Sequence, residues 1–241
     1  MKFITYDNLR SFCYSNDKIV EGEIKAITVD FYGLGSQAMH HGEIRLGEKL
    51  AKHGIIFVHP YSNPWGWMNK EEVSLTDEII DVLFEKYNLT DKTRIISAGG
   101  SMGGQCALVY CAYAKRTPAA CLANCPVCDM PFHFTERVDL PRTIYSALHN
   151  EGVSLDEALK LRSPLHLVGS KLPKINYHIF HCGSDSLVNI EAHSNKLVNE
   201  MKEKGYSVTY DVIPNKGHCD LGYMGTEKYE QYIIDEALNR I

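Results

Sequence analysis

The stretch Ile95-Ile96-Ser97-Ala98-Gly99-Gly100-Ser101-Met102-Gly103-Gly104-Gln105 constrains this chain more than any other. An apolar run breaks into glycines around one serine and then resumes as a helical pattern, so it reads as strand, tight turn, helix. Gly99 to Gly103 fits G-x-S-x-G, a nucleophile elbow: the serine sits on a strained turn, and small neighbours let strand and helix approach closely. Two other readings share these residues, an ordinary glycine-rich turn and a phosphate-cradling loop. The second lacks support, because no Lys-Ser/Thr pair follows the glycines and no G-x-G-x-x-G opens the helix with an acidic residue at the end of the next strand. The rest of the chain has to decide between elbow and turn.

That context is an alternation of strands and helices. Lys2–Tyr6 and Ser11–Ser15 read as short strands around the turn-forming Asp7-Asn8, an antiparallel edge hairpin. Ile24–Phe31 is a stronger strand, followed by a helical pattern through Ile44, Leu46, Leu50 and Ala51 that Gly54 closes. Ile55–Val58 is a buried strand running into His59–Asn69, a loop rich in breakers and aromatics that holds both tryptophans. A helix from Glu71 to Tyr87, the elbow strand Arg94–Ala98, a helix Met102–Lys115 and a strand Ala119–Ala123 follow. After a break, Tyr177–His181 and Ser207–Ile213 read as strands with a helix at Ile190–Lys204 between them, and a last helix starts at Tyr223 or Gly225.

This rhythm predicts an α/β fold with a mostly parallel central sheet, helices on both faces and active residues at the carboxyl ends of strands. Residues 124–173 interrupt it. They are rich in Pro and His, with one clear helix near Leu155–Leu161 capped by Ser154 with Glu157 at the capping-box position, and they read as a small cap-like insertion after the sixth strand. No repeat or interdomain linker is visible, so residues 1–241 are expected to form one domain.

A serine hydroxyl needs a base within hydrogen-bond reach and usually an acid that orients the base. Both candidates fall at predicted strand ends. Asp185 lies in Cys182-Gly183-Ser184-Asp185-Ser186-Leu187-Val188, after the strand ending at His181, and His218 lies in Lys216-Gly217-His218, after the strand ending near Ile213. Asp129, after the preceding strand, competes as the acid, whereas Asp220 is too near His218 in sequence. His40, His41, His59 and His181 are weaker candidates for the base.

The order Ser101, Asp185, His218 is that of the α/β-hydrolases. On Gly99–Gly104, Arg162-Ser163-Pro164-Leu165, His181–Val188 and Lys216–His218, the chain resembles the α/β-hydrolase superfamily, and in particular the catalytic domain of the prolyl oligopeptidase family and related small esterases. The resemblance covers nearly the whole chain. It implies an α/β-hydrolase fold and acyl transfer through an acyl-enzyme, with the oxyanion held by the amides of Met102 and Leu34. Tyr32-Gly33-Leu34-Gly35 stands where related enzymes often carry His-Gly-x-Gly, so Tyr32 is a departure, although the hole itself uses main chain.

Tyr32, Trp65 and Trp67 are candidate walls of a substrate pocket, with Tyr61, Phe132, His133 and Phe134 as further candidates. The substrate expected is a small-molecule carboxylic ester, an acyl or acetyl group on a carbohydrate or an aromatic ester. A peptidase of prolyl oligopeptidase type would use the same machinery. Members of that family usually carry a large β-propeller ahead of the catalytic domain, and this chain begins almost directly with hydrolase strands, which favours the esterase. A non-catalytic binding protein on the same fold would normally show decay at one of the three positions.

Composition adds exclusions. A net charge of −5 gives no electrostatic case for nucleic acid or an anionic membrane surface, and no run of eighteen apolar residues occurs. Met1–Asp7 shows no long apolar h-region or small-residue cleavage site, and eight cysteines, several inside apolar runs, fit reduced thiols, so the cytoplasm is expected unless a leader was trimmed. No H-E-x-x-H or comparable cluster suggests a metal, Cys125-Pro126-Val127-Cys128 lacks a second pair to complete a site, and no cofactor is expected. Cys219, beside His218, reads as an oxidation-sensitive position. The oligomeric state is not legible.

Overall fold

Strands with both faces covered need apolar side chains at nearly every position, and the central runs of this chain supply them. In the computed structural model, which describes residues 3–241, β1 (Cys13–Ser15), β2 (Ala26–Phe31), β3 (Ile55–Pro60), β4 (Arg94–Gly100), β5 (Ala120–Asn124), β6 (Asn176–Cys182) and β7 (Ser207–Ile213) form one sheet in the order β1-β3-β2-β4-β5-β6-β7. Every pairing is parallel except β1 on β3.

Period-two alternation sorts the strand residues between two cores. Ile27, Val29, Ile56, Val58, Cys121, Ala123, Tyr177 and Ile179 join one cluster, which also takes the buried faces of α2 (Lys70–Lys86), α3 (Met102–Tyr113) and α8 (Lys196–Glu203). Ala26, Ile55, Phe57, Ile96, Ala98, Leu122 and Phe180 join the other, under α1 (Arg45–Ala51) and α9 (Gly222–Ala237). Among the described residues no helix is long and apolar enough to cross a membrane.

Two expectations need correction. Lys2 lies outside the described residues, and residues 4–12 form turns and a short 3-10 segment instead of the first arm of a hairpin. Phe3 and Thr5 are exposed on either side of the fully buried Ile4, a pattern that mimics strand alternation. Asn8 Oδ1 accepts the Thr5 amide at 2.7 Å and turns the chain, so β1 pairs with β3 alone. The stretch 124–173 therefore follows the fifth strand, not the sixth. It carries four helices: α4 (Met130–Glu136), α5 (Leu140–Leu148), α6 (Leu155–Leu161) and α7 (Pro164–Leu167). Ser154 Oγ accepts the Glu157 amide at the start of α6, where the sequence places a cap.

Candidate active site

The turn between β4 and α3 is held open by its glycines. A Cβ on Gly99 would lie 2.3 Å from the Gly103 carbonyl oxygen, and one on Gly103 would lie 2.0 Å from that of Phe31, so neither position admits a side chain without backbone movement. Ser101 between them has φ 60° and ψ −126°, a conformation that only a firmly held turn imposes on a serine. Its amide donates to the Asn124 carbonyl at 2.8 Å, tying the turn to β5.

The loops after β6 and β7 meet at this serine. His218 Nε2 is 2.8 Å from Ser101 Oγ, and Nδ1 is 2.6 Å from Asp185 Oδ2. A carboxylate only accepts, so Nδ1 carries a proton and the neutral ring presents Nε2 as acceptor to the serine hydroxyl. The Asp185 side chain is fully buried. Its Oδ1 accepts the amides of Leu187 at 2.9 Å and Val188 at 3.0 Å. Burial opposes its charge, but hydrogen bonds from His181, His218 and those two amides prevail and hold the carboxyl well below the usual carboxylate range. His218 moves the other way: burial favours the neutral ring, yet hydrogen bonds to Asp185 and Cys125 raise it to about 9.

Facing Ser101 is the loop after β2. Gly33 lies so near that a Cβ there would be 3.8 Å from Ser101 Cβ, and no backbone carbonyl among the described residues takes the amide of Leu34 or of Met102. A cavity of about 500 Å³ opens over the serine, lined by Tyr32, Gly33, Leu34, Trp67, His133, Arg137, Leu187, His218 and Cys219 among others.

Of the expected pocket walls, Tyr32 and Trp67 line this cavity and Trp65 does not. Trp67 is nearly fully buried; its indole N–H donates to Thr143 Oγ1 at 3.3 Å, and its ring meets His133 edge-on. Trp65 packs against the main core cluster. His133 reaches the cavity, whereas Phe132, Phe134 and Tyr61 are not among its lining. Tyr32 sends its hydroxyl to the Ala38 carbonyl at 2.8 Å. The competing acids have other partners: Asp129 caps α4 by accepting the Phe132 amide, and Asp220 pairs with Lys216 and accepts the Gly222 amide.

Behind the site stand residues whose supporting role the sequence did not show: His181, read there as a weaker base candidate, His133, read as a pocket wall, and Glu136, His193 and Ser194, which sequence reasoning missed. His181, fully buried, places Nε2 3.4 Å from Asp185 Oδ2 and 3.2 Å from the Val188 carbonyl, and its Nδ1 lies 2.7 Å from Ser194 Oγ. Glu136 Oε2 is shared by His133 Nδ1 at 2.6 Å and His193 Nε2 at 3.0 Å, while Oε1 accepts the Asn189 amide. His193 Nδ1 accepts two backbone amides, from Cys128 and Asp129, which fixes its proton on Nε2. Burial pushes His133 below the ordinary histidine range, outweighing the hydrogen bond to Glu136 that raises it. For Glu136 and His193 only the surplus of eleven histidines in the sequence gives any hint.

Among the described residues, three groups bring ligand-type atoms within 4.8 Å of one another: His133, Glu136 and His193; Cys125, His181 and Asp185; and Cys125, His218 and Cys219. The first is already satisfied by its own hydrogen bonds.

The sequence profile of the prolyl oligopeptidase family matches residues 65–239. Among solved structures, a truncated carbohydrate esterase from gut microbiota is similar with TM-score 0.68 at 15% identity, over 97% of this chain and 99% of that one. The propionate-bound esterase of the planctomycete Thermogutta terrifontis aligns with TM-score 0.65 at 19% identity, over 90% of this chain and 84% of its own. Porphyromonas gingivalis dipeptidyl peptidase 4 aligns with TM-score 0.68 at 16% identity over 90% of this chain, but over only 31% of that chain. No curated protein matches the sequence. The architecture is the α/β-hydrolase fold that the sequence motifs imply.

Proposed function

This chain belongs to the prolyl oligopeptidase family and is a serine hydrolase, and we propose that it cleaves carboxylic esters with Ser101 as nucleophile, His218 as general base and acid, and Asp185 as the group that orients the imidazole. The observation that carries this reading is the unbroken row of hydrogen bonds from Asp185 through His218 to Ser101 at the mouth of a cavity. Ser101 Oγ attacks the ester carbonyl and passes its proton to Nε2. The developing oxyanion is held by the amides of Leu34 and Met102, the second at the N-terminal end of α3, where the helix dipole adds to the attraction. His218 returns the proton to the leaving alkoxide, and water admitted by the same base then cleaves the acyl-enzyme.

We assign 124–173 as a cap on a single hydrolase domain, because α4 delivers His133 and its C-terminal neighbour Arg137 to the cavity wall. Phe31, Gly33 and Leu34 leave room beside the oxyanion loop for a small acyl group such as acetyl, and Tyr32, Trp67 and His133 offer aromatic edges and an acceptor to a sugar or aromatic alcohol. The esterase reading is supported over a peptidase one by neighbours that are described as esterases and match this chain over nearly their whole length. Unpaired thiols at all eight cysteines support a reducing compartment, the cytoplasm.

The test is labelling with a fluorophosphonate probe, followed by a panel of acetyl, aromatic and sugar esters against aminoacyl and prolyl amides. The expected result is an adduct on Ser101 that is lost in Ser101→Ala, with turnover of esters over amides. An adduct elsewhere sinks the mechanism, and faster turnover of the amides sinks the esterase reading.

A further inference from the structure

Two cysteines flank the imidazole at the centre of the site, and the proposed reaction uses neither. Cys125, directly after β5, has φ 46°, and Cys219, directly after His218, has φ 60°. Side chains rarely adopt that left-handed backbone, and such outliers cluster where a fold holds a functional geometry. Here both residues turn their sulfurs toward the same ring. Cys219 Sγ lies 3.7 Å from His218 Nε2, and the two sulfurs and a His218 ring nitrogen all lie within 4.8 Å of one another.

Those spacings suit a small thiophilic cation. With Zn–S about 2.3 Å and Zn–N about 2.0–2.1 Å, a tetrahedral centre holds sulfur and nitrogen about 3.6 Å apart and two sulfurs about 3.8 Å apart. The sulfur–nitrogen edge is therefore already formed. The outer partners that tune such ligands are present too. Asp185 Oδ2, 2.6 Å from Nδ1, completes a carboxylate–histidine pair behind the ligating nitrogen. Cys125 Sγ accepts the amides of Cys182 at 3.3 Å and Cys219 at 3.4 Å; the neighbouring Cys219 thiol and burial push the free Cys125 thiol well up, so it gives up its proton only to a bound cation. Cys219, His218 and Ser101 all line the cavity, the side from which a cation would enter.

We propose that Cys125, Cys219 and His218 form an inhibitory site for zinc or a similarly thiophilic divalent cation. Two thiols release their protons to solvent as the metal–sulfur bonds form, and His218 Nε2 gives the cation the lone pair that would otherwise accept the Ser101 proton. Hard cations such as magnesium, which prefer oxygen ligands, are excluded by the two sulfurs. The inhibition rests on reading His218 as the general base; the binding does not.

The experiment uses the full chain after chelator treatment. Zinc chloride at micromolar concentration is expected to slow p-nitrophenyl acetate hydrolysis at least tenfold, with full recovery on adding EDTA and no effect from magnesium chloride. Cobalt(II) is expected to bind one ion per chain with a sulfur-to-cobalt charge-transfer band, and Cys125→Ser and Cys219→Ser each to lower that band by about half or more, with the double variant losing it. X-ray absorption of the zinc-loaded wild-type chain, which needs no variant to fold, is expected to show two sulfurs at about 2.3 Å. A sulfur-free shell, or a charge-transfer band unchanged in both variants, overturns the proposal. Were Ser101 not the nucleophile, the cobalt and X-ray readouts would be unaffected, so failure of the reaction and failure of the metal site are told apart.

Discussion

Replacing Asp185 by asparagine removes one charge and almost no volume, and the surroundings of the carboxyl determine how the site responds. Oδ1 accepts two backbone amides, from Leu187 and Val188, at 2.9 and 3.0 Å. In Asp185→Asn the amide oxygen has to occupy that position, because an NH₂ there would face two N–H donors. The NH₂ is then directed at His218 Nδ1, which becomes an acceptor, and the neutral ring carries its proton on Nε2 facing Ser101. The geometry survives with the wrong tautomer. For an orienting carboxylate the loss in kcat is about 10⁴-fold, equivalent to ~5.4 kcal/mol at 1.36 kcal/mol per decade. Because the hydrogen bond and charge of Asp185 help raise His218 to about 9, the variant also loses much of that upward shift. The assay is p-nitrophenyl acetate hydrolysis from pH 5 to 10 on wild-type and variant, with circular dichroism and a melting curve on each. A folded variant that keeps more than a tenth of the activity, or whose profile does not move to lower pH, would refute the reasoning.

The wild-type profile itself comes from the sign of the shift: the base works as neutral imidazole, so kcat/KM should rise with pH through about 9, and Cys125→Ala, which removes one of the raising partners, should bring that limb down. In stability the same raised group contributes fully below its unfolded value of about 6.5 and loses the contribution as pH passes through about 9, which urea midpoints at pH 6 and 10 will show. Gly103→Ala, whose methyl would meet the Phe31 carbonyl at 2.0 Å, should cost about 3 kcal/mol or more, whereas Gly42→Ala, with nothing within 4 Å of the new methyl, should stay within about 1 kcal/mol of wild type; denaturant titration of both checks this. Arg162 is nearly buried against Glu151 at 2.6 Å, so Arg162→Met leaves a buried carboxylate unpaired and should cost about 3–5 kcal/mol by the same measurement.

The elbow was legible because its chemistry and its folding use the same residues: glycines that the backbone cannot do without, around a serine that the turn exposes. Asp185 and His218 were legible through their places at strand ends, since a parallel sheet delivers those loops to one edge. The N-terminal misreading came from the alternation around Ile4, which is buried as a single side chain and not along a ladder. Three helices of the 124–173 stretch escaped notice although Asp129-Met130-Pro131, Asp139-Leu140-Pro141 and Ser163-Pro164 each place a cap-type residue ahead of an early-turn proline. Their apolar spacing is too short to register as a period. The histidines and cysteines around the triad were harder still, because each acts through a partner on a different loop, and nothing local in the sequence marks such a pairing.

His218 hangs from β7, the last strand of the sheet and an outermost one, which pairs with β6 alone and whose side chains are half-exposed or exposed throughout. Ser101, by contrast, is anchored to β4, which has a neighbour on each side. The proposed base therefore rides on the margin of the molecule and the proposed nucleophile on its keel. On heating, the margin loosens before the keel, and hydrolysis should fade while most of the sheet is still intact.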